Sequence, residues 1–389
     1  MDVKVTVIIP VYNMEQYLAE CLDSVISQSL SDIEIICIND GSNDNSINIL
    51  RAYEGRDNRI KVIDQENKGV AAARNIGIET AKGKYVIFMD PDDLYPADDV
   101  LESLYTAAEE NNVLAAGGCF SDFDIDGREN TPEDYQNCTL FGYLFEKDGI
   151  VAYKDYQFDY GYHRFVYNRK MLIDNKIFFP NLIRFQDPPF MVRALSKAER
   201  FCGLNKVTYR YRINHKTLDW NEQRVTALLT GLEMNLDFAL ENGYMELYRL
   251  VLKRIVNEYR GIIYDKFKVS VASERQLLGI LGKLKGEEEI KSLMWFVIET
   301  YQHKANDKQL LIEERDREIG HLNGALNHQN IILGDREKEI YDLKQRLDYL
   351  EKDNRRLEHS ISYRLGMTIT FIPRKLRRLK NLIKEKLSK

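Results

Sequence analysis

Three carboxylates stand at the end of an apolar run: Lys84-Tyr85-Val86-Ile87-Phe88-Met89 leads directly into Asp90-Pro91-Asp92-Asp93. A buried strand that ends in clustered acids puts negative charge at the carboxyl edge of a sheet, where open α/β sheets take their ligands. Like charges this close repel, and a cation ordinarily holds them together. Hard oxygen ligands suit Mg²⁺ or Mn²⁺, and such ions commonly share their coordination with substrate phosphates. The same acids also suit a polar turn, with Asp92 or Asp93 capping a segment after Pro96. The acids alone leave both readings open, and the elements ahead of them decide.

Those elements alternate. Val3 to Ile9 is an apolar strand broken only by Lys4 and Thr6, and Pro10 is expected to end it. Met14 to Ile26 has helical spacing at Tyr17, Leu18, Cys21, Leu22 and Val25. Ile33 to Ile38 is a second strand, and Asn39-Asp40-Gly41-Ser42 stops it before a helix that Asn43-Asp44 can start. Ile60 to Ile63 is a third strand, Val70 to Ala81 a helix of small residues, and Lys84 to Met89 the fourth strand. Repeated βα units with nearly continuous apolar strands imply an α/β fold whose parallel sheet is covered on both faces. Neither GxGxxG nor GxxxxGK[ST] follows the first strand. Phosphate must then be handled in another way, and a metal at the Asp90 cluster meets that need.

Four motifs stand in order: Val5-Thr6-Val7-Ile8-Ile9-Pro10-Val11-Tyr12-Asn13, Asn39-Asp40-Gly41-Ser42, Asn67-Lys68-Gly69-Val70-Ala71-Ala72-Ala73-Arg74-Asn75 and Asp90-Pro91-Asp92-Asp93. Together they resemble the family 2 glycosyltransferases with the GT-A fold, of the type that builds bacterial surface polysaccharides. The clear match covers the first third of the chain, with weaker matches to about residue 220. The resemblance implies an inverting transferase that uses a nucleotide-diphosphate sugar and Mg²⁺ or Mn²⁺. It implies that Pro10 and Tyr12 line the nucleotide pocket and that Asp40 holds the base, most often uracil. It places Arg74 near the diphosphate, makes Asp90 and Asp92 the DxD motif, and puts the metal on Asp92 or Asp93. The family more often has Asp where Asn39 stands. The chemistry is coherent: a carboxylate accepts the imide N–H of uracil, and a guanidinium presents a planar fork to phosphate oxygens.

Inverting transfer needs a base on the acceptor side, because the attacking hydroxyl must lose its proton. Arg184-Phe185-Gln186-Asp187-Pro188-Pro189-Phe190 sets an acid between aromatics, and two prolines restrict its backbone. This stretch resembles the family's acidic segment, with Gln186 in place of the usual Glu, and the resemblance makes Asp187 the general base. Asp187 also suits the N-cap of a helix with Pro188 in its first turn, and both can hold at once. Tyr209-Arg210-Tyr211-Arg212-Ile213-Asn214-His215 resembles the basic segment that closes the transferase domain in many relatives. Its alternation suggests an edge strand with one cationic face, able to meet the diphosphate. His215 is a candidate third metal ligand or phosphate contact, though a lone His is more often structural.

The five cysteines show no CxxC pair, and Cys21 and Cys37 fall within apolar patterns, which points to reduced core thiols. The first strand begins at Val3, which leaves no room for an N-terminal signal, and no apolar run reaches the length of a membrane span. A cytoplasmic protein is expected.

Four segments follow: a GT-A domain at 1–220, with a nucleotide-binding half at 1–115 and an acceptor half at 116–220; a helical extension at 221–304; a coiled coil at 305–361; and a basic amphipathic tail at 362–389. With Ile319 at heptad position a, that position is Ile312, Ile319, Leu326, Leu333, Ile340, Leu347, Asn354 and Ile361. A single buried Asn at a is a device that sets the register of a parallel dimer. From Arg374 to Lys389 there are eight Lys or Arg against one Glu, in a chain whose net charge is −6. Leu376, Leu379, Ile383 and Leu387 share one helical face there, the pattern of an interfacial helix on anionic lipid. Nothing else in the chain suggests nucleic acid as the partner of this tail.

The expected protein is therefore a metal-dependent hexosyltransferase, a parallel homodimer peripheral on the inner face of the cell membrane. Its donor is a UDP-sugar and its acceptor a lipid-linked saccharide. The alternative is a non-catalytic scaffold of the same fold that organises partners through its coiled coil; intact Asp90, Asp92 and Asp187 argue against it. Deleting 374–389 is expected to weaken flotation with anionic vesicles and leave the dimer intact, whereas deleting 305–389 removes both. Sedimentation and flotation of the three forms check this, and added salt should weaken the full chain's vesicle binding.

Overall fold

The computed structural model describes residues 2–124, 126–130, 145–214 and 219–267, with short pieces at 276–277, 279–280, 283, 344–349 and 351–352. The chain divides into two compact units, Met1–Phe296 and Val297–Lys389. In the second, 344–349 and 351–352 are helical. The remainder of the expected coiled coil, and the whole basic tail, lie outside the described residues.

The first unit is α/β. It begins with β1 (Val5–Val11), α1 (Leu18–Ile26), β2 (Ile33–Asp40), α2 (Ser46–Glu54), β3 (Ile60–Gln65), α3 (Val70–Thr80) and β4 (Tyr85–Phe88). Strands β3, β2, β1 and β4 lie side by side and parallel. Every residue of β1 and β2 is buried, as it must be when helices cover both faces. Val5, Val7, Ile9 and Val11 pack in one core cluster with Leu18, Cys21, Leu22 and Val25 of α1 and with Leu50 of α2. The opposite face of β1 meets α3. There Gly77 comes so close to Ile8 that a Cβ at position 77 would lie 2.3 Å from Ile8 Cγ2.

The expected strands are all present, and three run further than expected, β3 among them, which reaches Gln65. β1 continues through Pro10 to Val11. Its ladder with β4 stops at Ile8↔Phe88, while that with β2 runs on to Val11↔Asn39. Pro10 therefore sits past the point where β4 leaves, and its missing N–H breaks no bond on that side. β2 likewise continues through Asn39 to Asp40.

After α4 (Val100–Glu110) the chain adds β5 (Ala115–Phe123), β6 (Glu129–Asn130), β7 (Gly149–Ala152), α5 (Tyr153–Tyr156), a 3₁₀ turn at Tyr162–Arg164, β8 (Phe165–Asn168), α6 (Arg169–Asp174), α7 (Asp187–Ala198) and β9 (Arg200–Arg212). The sheet continues from β4 through β8, β5 and β9 to β7, and β6 pairs with β5. β8 is antiparallel to both β4 and β5, β9 is parallel to β5, and β7 is antiparallel to β9. The sheet is thus parallel only in its first half and mixed beyond β4. Repeating βα units enforce parallel pairing, and that repetition ends at α4.

The extension is helical where described: α8 (Glu222–Asn242), α9 (Met245–Lys253), one π-helical turn at Arg254–Glu258 and α10 (Arg260–Phe267). The four described cysteines, Cys21, Cys37, Cys119 and Cys202, are free and buried. No described helix is long and apolar enough to cross a membrane.

The contact of Gly77 with Ile8 sets how closely α3 lies on the sheet. Gly77→Ala should destabilise the fold by about 1–3 kcal/mol, the usual cost of overpacking, read as a lower urea midpoint at an unchanged m-value.

Candidate active site

The carboxyl ends of β1, β2 and β4 lie on one edge, and each delivers a residue singled out above. Pro10 is buried in β1, and Tyr12, just past its end, is 43% exposed. Asp40 closes β2. It is buried, and its carboxylate accepts the Lys68 and Gly69 N–H groups, both at 2.8 Å, and the Gln65 amide at 2.7 Å. Gly69, at φ 90°, is the N-cap of α3, a conformation that glycine adopts without strain. Asp40 thereby fixes the loop that launches α3, and α3 carries Arg74.

Arg74 is 4% exposed. Its Nη2 donates to Asp90 Oδ1 at 2.6 Å. Its guanidinium carbon lies 4.9 Å from the Tyr162 ring centroid and 5.2 Å from that of Phe179. Tyr162 also donates to Asp90 Oδ1, at 3.1 Å. Arg74 Nε and Nη1 have no hydrogen-bond partner among the described residues, so the guanidinium has donors to spare in a setting where unpaired donors are costly.

The run Asp90-Pro91-Asp92-Asp93 is divided by geometry. Asp90 is partly exposed and faces Arg74, and Asp92 is also partly exposed. Asp93 is fully buried. Its Oδ2 accepts the Tyr209 hydroxyl at 2.6 Å and its Oδ1 accepts the Arg212 N–H at 2.7 Å. The Tyr209 oxygen in turn accepts the Asp90 N–H at 3.1 Å. Asp93, read from the sequence as a metal ligand beside Asp92, is therefore turned inward and ties β9 to the acidic turn. Burial, with Asp92 and Asp90 close by, pushes its pKa well up.

Asp187 opens α7, with Gln186 at the N-cap and prolines in the first turn. It begins the helix without capping it. The residue as a whole is partly exposed, and burial of the carboxyl raises its pKa above the ordinary aspartate value against the opposing pull of Arg74 and Arg184. Asn75, next to Arg74 on α3, exchanges two 2.9 Å hydrogen bonds with the backbone of Phe179. Phe179 stacks on Phe190 of α7 at 4.0 Å. The segment ahead of Asp187 is thus bound to the helix that holds Asp90's partner.

The basic segment 209–212 is the end of β9. Among the described residues only Arg200–Gly203 of that strand pairs with β7, and further along Arg210 is bridged by Leu94. Its cations are already engaged: Arg212 binds Glu20 at 2.6 Å and the Asp92 carbonyl at 2.8 Å, and Arg210 binds Glu129 at 3.1 Å. His215 lies outside the described residues.

Sequence reasoning missed Tyr162, which reads there as one more aromatic in a crowded stretch. It also missed His163, buried against Tyr209 with ring centroids 3.8 Å apart and Nε2 without a hydrogen-bond partner among the described residues. Burial together with Arg164 and Arg74 lowers the pKa of His163 well below its usual value, so the ring is neutral at physiological pH. An open cleft of about 480 Å³ lies along the β2 and β3 ends, lined by residues that include Asn39, Ser42, Asn43, Asp64 and Glu66. Arg74, Asp90, Asp92 and Asp187 are not among them.

The donor set fits a divalent cation of the kind that shares its coordination with phosphate. Among the described residues no group of three or more His, Cys, Asp or Glu is arranged to hold a metal alone. Asp92, partly open beside Asp90, offers a hard oxygen, and one or two carboxylates with substrate phosphates complete such a site.

The family profile described as Glycosyl transferase family 2 matches residues 6–175. The protein named "Putative glycosyltransferase EpsH" of Bacillus subtilis is 32% identical over 278 residues, 68% of this chain and 78% of that protein. This chain belongs to glycosyl transferase family 2. The uncharacterized glycosyltransferase EpsJ of B. subtilis is 36% identical over 215 residues, 55% of this chain; the match spans 62% of EpsJ, less than two thirds of its length. Among solved structures, S. aureus TarS 1-349 in complex with UDP-GlcNAc superposes with a TM-score of 0.58 at 19% identity, covering 79% of this chain and 92% of that one. At that identity the likeness is one of fold, and it places the family 2 chain in the GT-A architecture.

The inward turn of Asp93 has a measurable consequence. Asp93→Ala strands the Tyr209 hydroxyl and the Arg212 N–H and should cost about 1–3 kcal/mol. Asp92→Ala should cost less, and chemical denaturation of the two variants checks the order.

Proposed function

We propose that this family 2 chain is an inverting glycosyltransferase in which Asp187 is the general base. The observation that carries the reading is the pairing of unlike acids on one edge. Asp90 is ion-paired with Arg74 at 2.6 Å, while Asp187 sits close enough to Arg74 for the charges to interact and has a pKa raised by burial. Carboxylates in such different surroundings divide the work of one site.

The donor is a nucleotide-diphosphate sugar, and the complex of TarS with UDP-GlcNAc supports UDP as its nucleotide. Tyr12 offers an exposed ring to the base, and Asp40 keeps one carboxylate lone pair free for an imide N–H, because three of about four acceptor sites are taken. Arg74 holds Asp90 and presents Nε and Nη1 to phosphate. Asp92, not Asp93, is the carboxylate we assign to Mg²⁺ or Mn²⁺, which when bound offsets charge on the leaving diphosphate. The acceptor hydroxyl attacks the anomeric carbon and passes its proton to the Asp187 carboxylate. The bond from that carbon to the diphosphate oxygen breaks, and the nucleotide diphosphate leaves with the bonding pair. Attack opposite the leaving group inverts the centre.

The acceptor is a saccharide of a surface polysaccharide, carried on lipid. The similarity to the poly(ribitol-phosphate) beta-glucosyltransferase of Bacillus spizizenii, 32% identical over 215 residues, supports a surface polymer. The basic tail from Arg374 onward supports work at the inner membrane face, and the heptads from Ile312 support a homodimer.

Asp187→Asn should lower kcat by about 10²–10⁴-fold with donor binding unchanged. In the parent enzyme the rate should fall on acidification with a midpoint above about 3.9, the ordinary aspartate value, because the base is lost as its raised pKa is crossed from above. Steady-state kinetics against pH, with nucleotide-sugar titrations, read both. Loss of donor binding together with turnover in Asp187→Asn contradicts the assignment.

A further inference from the structure

The helical extension gives no chemical signal in the sequence, yet it grips the loop that carries Asp187. Arg254, in the π-helical turn after α9, is 4% exposed. Its Nη1 donates to Asp159 at 2.8 Å, its Nε to Glu258 at 2.8 Å and its Nη2 to the Tyr259 hydroxyl at 2.9 Å. Asp159 is itself buried and takes a further bond from Asn235 of α8 at 3.1 Å. With its edge so occupied, the guanidinium turns its face to an aromatic ring. Its carbon lies 4.8 Å from the centroid of Phe185, two residues before Asp187. Tyr259 meets the same ring edge-on at 5.9 Å. α8 closes from another side: a Cβ at Gly231 would lie 2.6 Å from the Phe185 carbonyl oxygen and 2.7 Å from its Cδ1. Phe185 itself has φ 61°, a conformation unfavourable for an aromatic residue that persists only where its surroundings impose it. π-Helical turns are uncommon and often sit at functional sites.

We infer that Arg254 is a positioning residue for Asp187, and that the stretch from α8 to Tyr259 is part of the catalytic unit because it holds Phe185 in the backbone conformation that aims the base. The inference rests on the assignment of Asp187 as the base. Arg254 acts through Phe185 and its charge also faces the carboxylate. The charged and titratable groups that act on Asp187 are Arg74 from α3, Arg184 from its own loop and Arg254 from the extension, with Tyr160, Tyr162 and Tyr167 from the chain around β8.

The test uses the full chain with Arg254→Met made together with Asp159→Asn, so that no unpaired carboxylate is left buried. Arg254→Lys keeps the charge without the fork, and Asp187→Asn is the control. The paired variant should keep its donor KM within about twofold and lose about 10–10²-fold in kcat, the scale of a misplaced catalytic group. Its acid limb should move to higher pH, because a cation that favours ionised Asp187 has gone. Arg254→Lys should restore the limb and only part of kcat. If the paired variant does not fold, Gly231→Ala, which presses on Phe185 without altering any charge, should lower kcat at unchanged donor KM. Parent-like kcat and pH profile in a folded paired variant, or parent-like kcat in a folded Gly231→Ala, overturns the inference while Asp187→Asn remains inactive. An active Asp187→Asn overturns the base assignment and this inference with it, and the control separates the two failures.

Discussion

A buried arginine on α3, paired with the aspartate just past the end of β4, is the constraint on which this molecule is organised. Arg74 cannot discharge itself, and taking its charge out of water costs several kcal/mol unless partners replace the water. Asp90 supplies the charge, and the faces of Tyr162 and Phe179 pack on the guanidinium. Each partner comes from a different part of the chain: β4, the turn before β8 and the segment before α7. Satisfying one guanidinium therefore brings the two halves of the sheet together. It also explains the bonds around it. Asp40 fixes the loop that starts α3, Asn75 holds the Phe179 backbone, and Tyr209 joins Asp93 to the Asp90 N–H.

The same constraint turns a run of like residues into unlike groups. Asp90 is locked in an ion pair, Asp92 stays at the surface beside it, and Asp93 points inward to hold the end of β9. These residues lie past the end of β4 in a turn closed by the Asp93 N–H on the Asp90 carbonyl at 3.1 Å, and the proline between Asp90 and Asp92 helps fix that turn. Asp187 reaches the same edge on the first turn of α7, whose Phe190 stacks on Phe179 at 4.0 Å and meets Phe88 edge-on at 5.4 Å.

The first half of the fold is legible because its physics is local. Apolar strands and amphipathic helices repeat from Val5 to Phe88, and periodicity alone recovers all four strands within a residue or two at most ends. The reach of β1 past Pro10 is not legible, since it depends on where β4 stops. Beyond α4 the strands are short, rich in aromatics and paired out of sequence order, so β8 between β4 and β5 leaves no periodic trace. The four motifs lead to Pro10, Tyr12, Asp40, Arg74 and Asp90 one by one, but they do not say that Arg74 and Asp90 bind each other. Tyr162 and His163 look like core residues in sequence. The division of labour between Asp92 and Asp93 appears only once β9 is in place, 116 residues after Asp93 at Tyr209. The grip of Arg254 on Phe185 is equally non-local.

The central claim is that Arg74, Asp90, Asp92 and Asp187 surround one reacting centre. A crystal structure with a UDP-sugar and Mn²⁺ tests it most directly. The account predicts the diphosphate at the carboxyl end of β4, the cation on Asp92, an Arg74 donor on phosphate, and the anomeric carbon facing Asp187 with its leaving oxygen pointing away. A nucleotide seated instead in the cleft between Asn39 and Glu66, with Asp92 and Asp187 both untouched, contradicts it.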